Sequence, residues 1–189
     1  ELSRRLLAGH SVVWLMLRSN DPQQNDATRD RMNADLQKLA AEVELPEGVG
    51  LPGSELHSEV PLVVRFSLLE IDPSDSQEQF LIDLFGGFYP DLVQQGESIL
   101  VPVFGRGRAL EVIPSSDVDS PLTRDLTLFL AGACSCQVKE QNPGFDLLIE
   151  ADWDSELFGA DGERPPPAKT VGDRSIEPLL LSIPPGRNN

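Results

Sequence analysis

A chain of 189 residues with 40% apolar and 24% charged side chains has the composition of a globular domain with a sizeable core, which excludes wholesale disorder. Its 31 acidic against 15 basic residues give a net charge of -16. Such a field repels phosphate backbones and anionic headgroups, so nucleic acid and membrane surfaces are excluded as natural partners, while cationic partners, divalent metals or a salty medium stay open.

In chain order, Leu2, Leu6 and Leu7 mark a short helix over 1–8 closed by Gly9. Ser11 to Leu17 is a continuous apolar run of strand length, as expected of a strand buried on both faces. Arg18 to Asp26 reads as a polar loop, with Asp26 as the N-cap of a long helix whose Met32, Leu36, Leu39 and Val43 recur at helical spacing and which ends before Pro46. A Gly/Pro-rich loop over 47–59 follows, then a second strand from Leu62 to Ile71. Ser76 and Gln79 form the pattern of a capping box for a helix to Phe85, stopped by Gly86 and Gly87. Ser98–Phe104 and Ala109–Ile113 flank the turn Gly105–Arg106–Gly107–Arg108 as a hairpin. Ser120–Pro121 opens another helix with Leu122, Leu126, Phe129 and Leu130 on its apolar face. Phe145 to Ala151 is the last predicted strand, and Trp153 and Leu157 have the character of residues that pack a strand end. The organisation expected is one domain over 1–160 and a Pro-rich linker or docking tail over 161–189, with the isolated apolar patch Ile176–Ile183. No run approaches the about 20 apolar residues of a membrane-spanning helix, and a chain opening at Glu1 without Met reads as a portion of a longer, exported product, with the periplasm or another extracytoplasmic space as its compartment.

Strands separated by helices imply parallel pairing, and the hairpin adds antiparallel strands, giving an α/β mixed sheet flanked by helices. In this order the portion from Glu1 to about Gly132 resembles the thioredoxin-like fold, with a C-terminal hairpin-helix-strand extension. The resemblance implies a Cys-x-x-Cys just after the first central strand, but Ser19 to Asp26 contains no cysteine. It also implies a cis-proline at the start of the hairpin strand, for which Pro102 in L-V-P-V-F is the candidate. What it then implies is a scaffold without a redox centre. The runs P-V-F-G-R-G-R-A-L and C-S-C-Q-V-K-E-Q-N-P-G are similar to runs in bacterial proteins to which no activity is attached.

Three groups of residues carry candidate chemistry. The two cysteines, Cys134 and Cys136, are separated by one serine. At that spacing their Cα atoms can lie about 5.5–6.8 Å apart, so an inert structural pair, a disulfide or redox pair, and a soft-metal thiolate pair are all open. Their place after a helix C-terminus, whose dipole raises a thiol pKa, argues against a redox nucleophile, with Lys139 the one nearby cation to offset it. Asp152 and Asp154, within a run of acids after the last strand, have the alternation of a weak metal site, but on so acidic a chain such clusters more often face water. Arg106 and Arg108 can frame a small anion nest, although the same glycine-flanked pattern is what a tight turn requires. His10 and His57 lack the serine and carboxylate companions of a triad, and no phosphate-cradling Gly-rich loop occurs.

The expectation is therefore a non-catalytic protein-interaction module that needs no cofactor, with a protein as its partner. A dithiol protein using Cys134 and Cys136 is the alternative, and a small metal-dependent enzyme built on Asp152 and Asp154 the distant one.

Overall fold

A computed structural model describes residues 1–43, 64–131 and 144–158. The Gly/Pro-rich loop over 47–59, Cys134, Cys136 and the tail over 161–189 lie outside the described residues, as does the first part of the strand expected from Leu62. The architecture is α/β, a mixed sheet flanked by helices on both faces. The elements are α1 Leu2–Leu7, β1 Val12–Leu17, α2 Pro22–Glu42, β2 Phe66–Ile71, a 3-10 turn Ser76–Glu78, α3 Gln79–Gly86 and α4 Pro90–Gln94. They continue with β3 Ile99–Phe104, β4 Arg108–Ala109, β5 Ile113–Pro114, a 3-10 turn Ser115–Asp117, α5 Ser120–Ala131, β6 Phe145–Asp146 and α6 Trp153–Phe158.

The strand order is β2-β1-β3-β4-β6, with β5 also paired to β3. β1 runs parallel to β2 and antiparallel to β3, and the remaining pairings are antiparallel. All six residues of β1 and of β3 are buried, as their unbroken apolar runs require of strands covered on both faces. Alternation then divides the core. Val13, Leu15, Leu17, Ile99, Val101 and Val103 face α1 and α3 around Phe85, while Val12, Trp14, Met16, Leu100 and Phe104 face α2 and α5 around Met32 and Leu36.

Four departures from the sequence-based expectation have physical causes. First, α2 starts at Pro22, a turn earlier than expected. Asp21 is the N-cap, its Oδ1 accepting the Gln23 and Gln24 N–H groups at 2.9 and 3.3 Å, and Pro22 sits at the position where its missing N–H costs nothing. Asp26 is instead exposed and paired with Arg29 at 2.7 Å. Likewise Asp75, not Ser76, caps the turn that leads into α3, accepting from Gln77 N–H at 2.9 Å. Second, Ala109–Ile113 is not one strand. Leu110, Glu111 and Val112 face only Val101 and Pro102 on β3, a one-residue excess that makes a bulge between β4 and β5.

Third, Pro102 is not a cis-proline at the start of β3. No peptide bond among the described residues is cis, and Pro102 lies in mid-strand opposite Trp14. Its carbonyl accepts from Leu110 N–H at 3.0 Å, so the side without an N–H faces the bulge, where no ladder hydrogen bond is forfeited. Fourth, the face that α5 buries is centred on Thr123, Thr127 and Leu130, while Phe129 is 38% exposed. The threonines have partners: Trp14 Nε1–H donates to Thr127 Oγ1 at 3.0 Å, and the Thr123 hydroxyl donates to Asp119 O at 2.9 Å. Beyond β6 the expected strand does not continue; residues 147–152 have no regular structure and α6 follows.

Candidate functional site

The end of the sheet where β1 runs into α2 gathers buried polar side chains. Ser19 and Asn25 are both buried and bind each other closely: Asn25 Oδ1 accepts from Ser19 N–H at 2.9 Å and from its hydroxyl at 3.2 Å, and Asn25 Nδ2 donates to Ser19 O at 2.9 Å. The Ser19 hydroxyl also accepts from Asp21 N–H at 3.1 Å, which sets the cap residue in place. These contacts replace, with side-chain groups, the backbone pairing that a chain leaving a central strand gives up.

Glu97, the last residue but one before β3, ties three segments to this junction. Its Oε2 accepts from Gln24 Nε2 at 2.9 Å, and its Oε1 accepts from the Ser115 hydroxyl at 2.6 Å and Ser116 N–H at 2.8 Å. Behind it the Ser98 and Ser115 hydroxyls are 2.8 Å apart, and Ser115 N–H donates to Ser98 O at 2.8 Å. Burial works against the ionised form of Glu97, but the hydrogen bonds from Ser115, Gln24 and Ser116 outweigh it and hold its pKa below the usual glutamate value.

Beside this network an open cleft of about 560 Å³ runs between α2 and the segment 115–121, lined by Gln24, Thr28 and Arg31 on one wall and Ser116, Asp119 and Ser120 on the other. Among the described residues Arg31 is the one cation on its walls. Its Nη1 is buried without a hydrogen-bond partner, and so is Oδ2 of Asp35 one turn further along α2. Leaving such a group unpaired costs about 1–3 kcal/mol. Arg18 Nε is likewise buried without a hydrogen-bond partner, but Arg18, like Arg4, Arg5, Arg29, Arg108 and Arg124, lies within 4.0 Å of a carboxylate.

The residues singled out in the sequence do not converge on this cleft. Arg108 Nη1 pairs with Asp146 at 2.7 Å and its Nη2 donates to Gly144 O at 3.1 Å, so it fastens the hairpin turn to β6 at the opposite end of the sheet. Arg106 is exposed in the same turn, where Gly105 and Gly107 take positive φ. Asp152 caps α6, accepting from Ser155 N–H at 3.2 Å and from its hydroxyl at 2.7 Å; these bonds lower its pKa. Asp154 lies within α6. Among the described residues no group of three or more His, Cys, Asp or Glu side chains is placed to hold a metal ion. His10 lies next to β2, its Nδ1 2.9 Å from the Ser67 hydroxyl, and desolvation, then the charges of Arg5 and Arg65, lower its pKa. No helix among the described residues is long and apolar enough to cross a membrane.

Sequence reasoning missed Ser19, Asn25, Glu97 and Arg31. For the first two a signal existed in Asp21–Pro22, a cap followed by an N1 proline, which moves the helix start and turns Asn25 inward. For Glu97 there was none, because its partners are 73 and 18 residues away along the chain. No family model, curated protein or solved structure matches this chain.

Proposed function

We propose that this chain is a thioredoxin-like scaffold without a redox centre, and that it works by holding a protein partner at the cleft where β1 enters α2. Three observations support the fold part of the reading: a central β1 parallel to β2 and antiparallel to β3, a β3–β4 hairpin, and helices on both faces. One carries the functional part. The start of α2, where the resemblance implies Cys-x-x-Cys, is filled by two hydrogen-bonded groups, Ser19 with Asn25 and Glu97 with Gln24, Ser115 and Ser116, beside an open, polar cleft. That arrangement holds no thiol, and it offers a preformed surface with fixed hydrogen-bonding groups, which is what recognition requires.

Site-specific crosslinking in cells that make the protein tests this. A photo-reactive residue at Ala27, on the cleft, is expected to give one adduct of discrete mass containing another protein, and the same residue at Lys38, further along α2, is expected to give none. Equal labelling from both positions would overturn the assignment of the surface. A partner held instead through a mixed disulfide, lost in the Cys134→Ser/Cys136→Ser variant, would replace the reading with the dithiol one.

A further inference from the structure

Resting on that reading of the cleft as a docking site, we infer that what it recognises is a single carboxylate on a segment of the partner that carries no second negative charge, with Arg31 as its receptor. On a chain with 31 acids and 15 bases, cations find carboxylates easily, and six of the described arginines have done so. Arg31 has not: among the described residues it makes no ion pair or hydrogen bond, and its Nη1 is withdrawn from solvent. Asp35, one turn further along α2, likewise keeps its Oδ2 buried and unpartnered.

A planar guanidinium held half-buried on the wall of a cleft, its charge uncompensated, matches the two oxygens of a carboxylate. Across the cleft the exposed Ser116 and Ser120 can add hydroxyl donors to the same ligand. The surroundings choose the charge of the ligand. Asp119 lines the cleft, and Glu97 lies directly behind Gln24, Ser115 and Ser116. One negative charge can be matched by Arg31, whereas the second charge of a phosphate would face these acids and the net charge of -16. The ligand's carboxylate comes from an Asp or Glu side chain or from a chain terminus, and the two differ in what flanks it.

The test is a titration of the intact ¹⁵N-labelled chain followed by backbone amide shifts, using three short capped peptides of alanine and glycine. One carries a central glutamate and an amidated end, one a central glutamine and an amidated end, and one a free C-terminal carboxylate with no acidic side chain. Shifts at Thr28, Arg31, Ser116 and Ser120 are expected with either carboxylate peptide, the tighter of the two identifying the source, and not with the glutamine peptide. Arg31→Gln is expected to weaken carboxylate binding at least about tenfold, and Arg31→Lys to retain part of it. Equal shifts from the glutamate and glutamine peptides, or unchanged binding by Arg31→Gln, would overturn the inference. Thermal unfolding of Arg31→Gln and Arg31→Gln/Asp35→Asn reports separately on any structural coupling to Asp35. The two proposals fail apart: an Ala27 adduct without carboxylate preference removes this inference alone, while carboxylate binding without any adduct removes the protein partner alone.

Discussion

The two ends of the sheet are held by different physics. At the end where β1 meets α2, position is set by side-chain hydrogen bonds: Ser19 with Asn25, and Glu97 with Gln24, Ser115 and Ser116. At the other end, where β3 turns into β4 and β6 joins, it is set by backbone sterics. Gly107 and Gly144 take φ of 101° and 84°, and a Cβ on Gly144 would press into the Ala109 carbonyl. The ion pair Arg108–Asp146 fastens that end further. A steric joint permits one arrangement. A hydrogen-bonded joint leaves donors and acceptors at its border, and there the cleft opens. The difference teaches where recognition can live on this scaffold.

Substitutions sharpen the contrast, beginning with the largest effect. Gly144→Ala combines a strained φ with overlap against backbone that cannot move aside, and is expected to cost at least about 3 kcal/mol by denaturant unfolding. Asn25→Ala leaves the Ser19 backbone groups buried and unpaired, for an expected loss of about 2–3 kcal/mol. If it proved neutral, the polar joint would not be what holds α2 in place. Trp14→Phe, away from both ends, strands the Thr127 hydroxyl and leaves a small void, for about 2 kcal/mol.

Glu97→Gln separates the two ends by pH. The folded pKa of Glu97 lies below its unfolded value, so its contribution is complete above the unfolded value of about 4.3 and is lost as pH falls through the folded one. Wild type is therefore expected to lose more stability than Glu97→Gln between about pH 5 and the acid side of that range, by an amount read from parallel denaturation curves. Arg108→Ala is expected to show no difference from wild type in that pH slope attributable to Glu97. The smallest effect is that of Arg5→Ala. Arg5 Nη1 caps the Leu68 carbonyl on the outer edge of β2 at 2.8 Å from a partly exposed position, and its loss is expected to cost about 0.5 kcal/mol.

The sequence was legible where apolar residues decide the structure. The unbroken runs Val12–Leu17 and Ile99–Phe104 became the two central strands, and Gly105 and Gly107 took the positive φ of the turn between β3 and β4. It was less legible where buried polar residues stand in for apolar ones. Asn25 and Thr28 fill the first turns of α2 and Thr123 and Thr127 the inner face of α5, so hydrophobic periodicity misplaced one helix start and one helix face. The bulge after Ala109 was hidden because it follows from Pro102 on the neighbouring strand. The candidate site is the extreme case: Glu97 is a lone acid in local sequence, and only the fold brings Gln24 and Ser115 to it. The paired acids and arginines that stood out by spacing serve as caps and fasteners in Asp152 and Arg108.

The proposed thioredoxin-like junction, with polar bonding in place of a redox pair, is open to a gain-of-function measurement. Asp21→Cys/Gln24→Cys in a Cys134→Ser/Cys136→Ser background puts two thiols at Cys-x-x-Cys spacing around Pro22, at the start of α2. The measurement is the pH dependence of alkylation of the reduced variant, together with its mass after air oxidation. An intramolecular disulfide is expected, and in the reduced form a thiol at position 21 ionising below the ordinary cysteine value of about 8.5, because the helix N-terminus stabilises the thiolate. Two thiols with ordinary pKa values that do not pair on oxidation would contradict it.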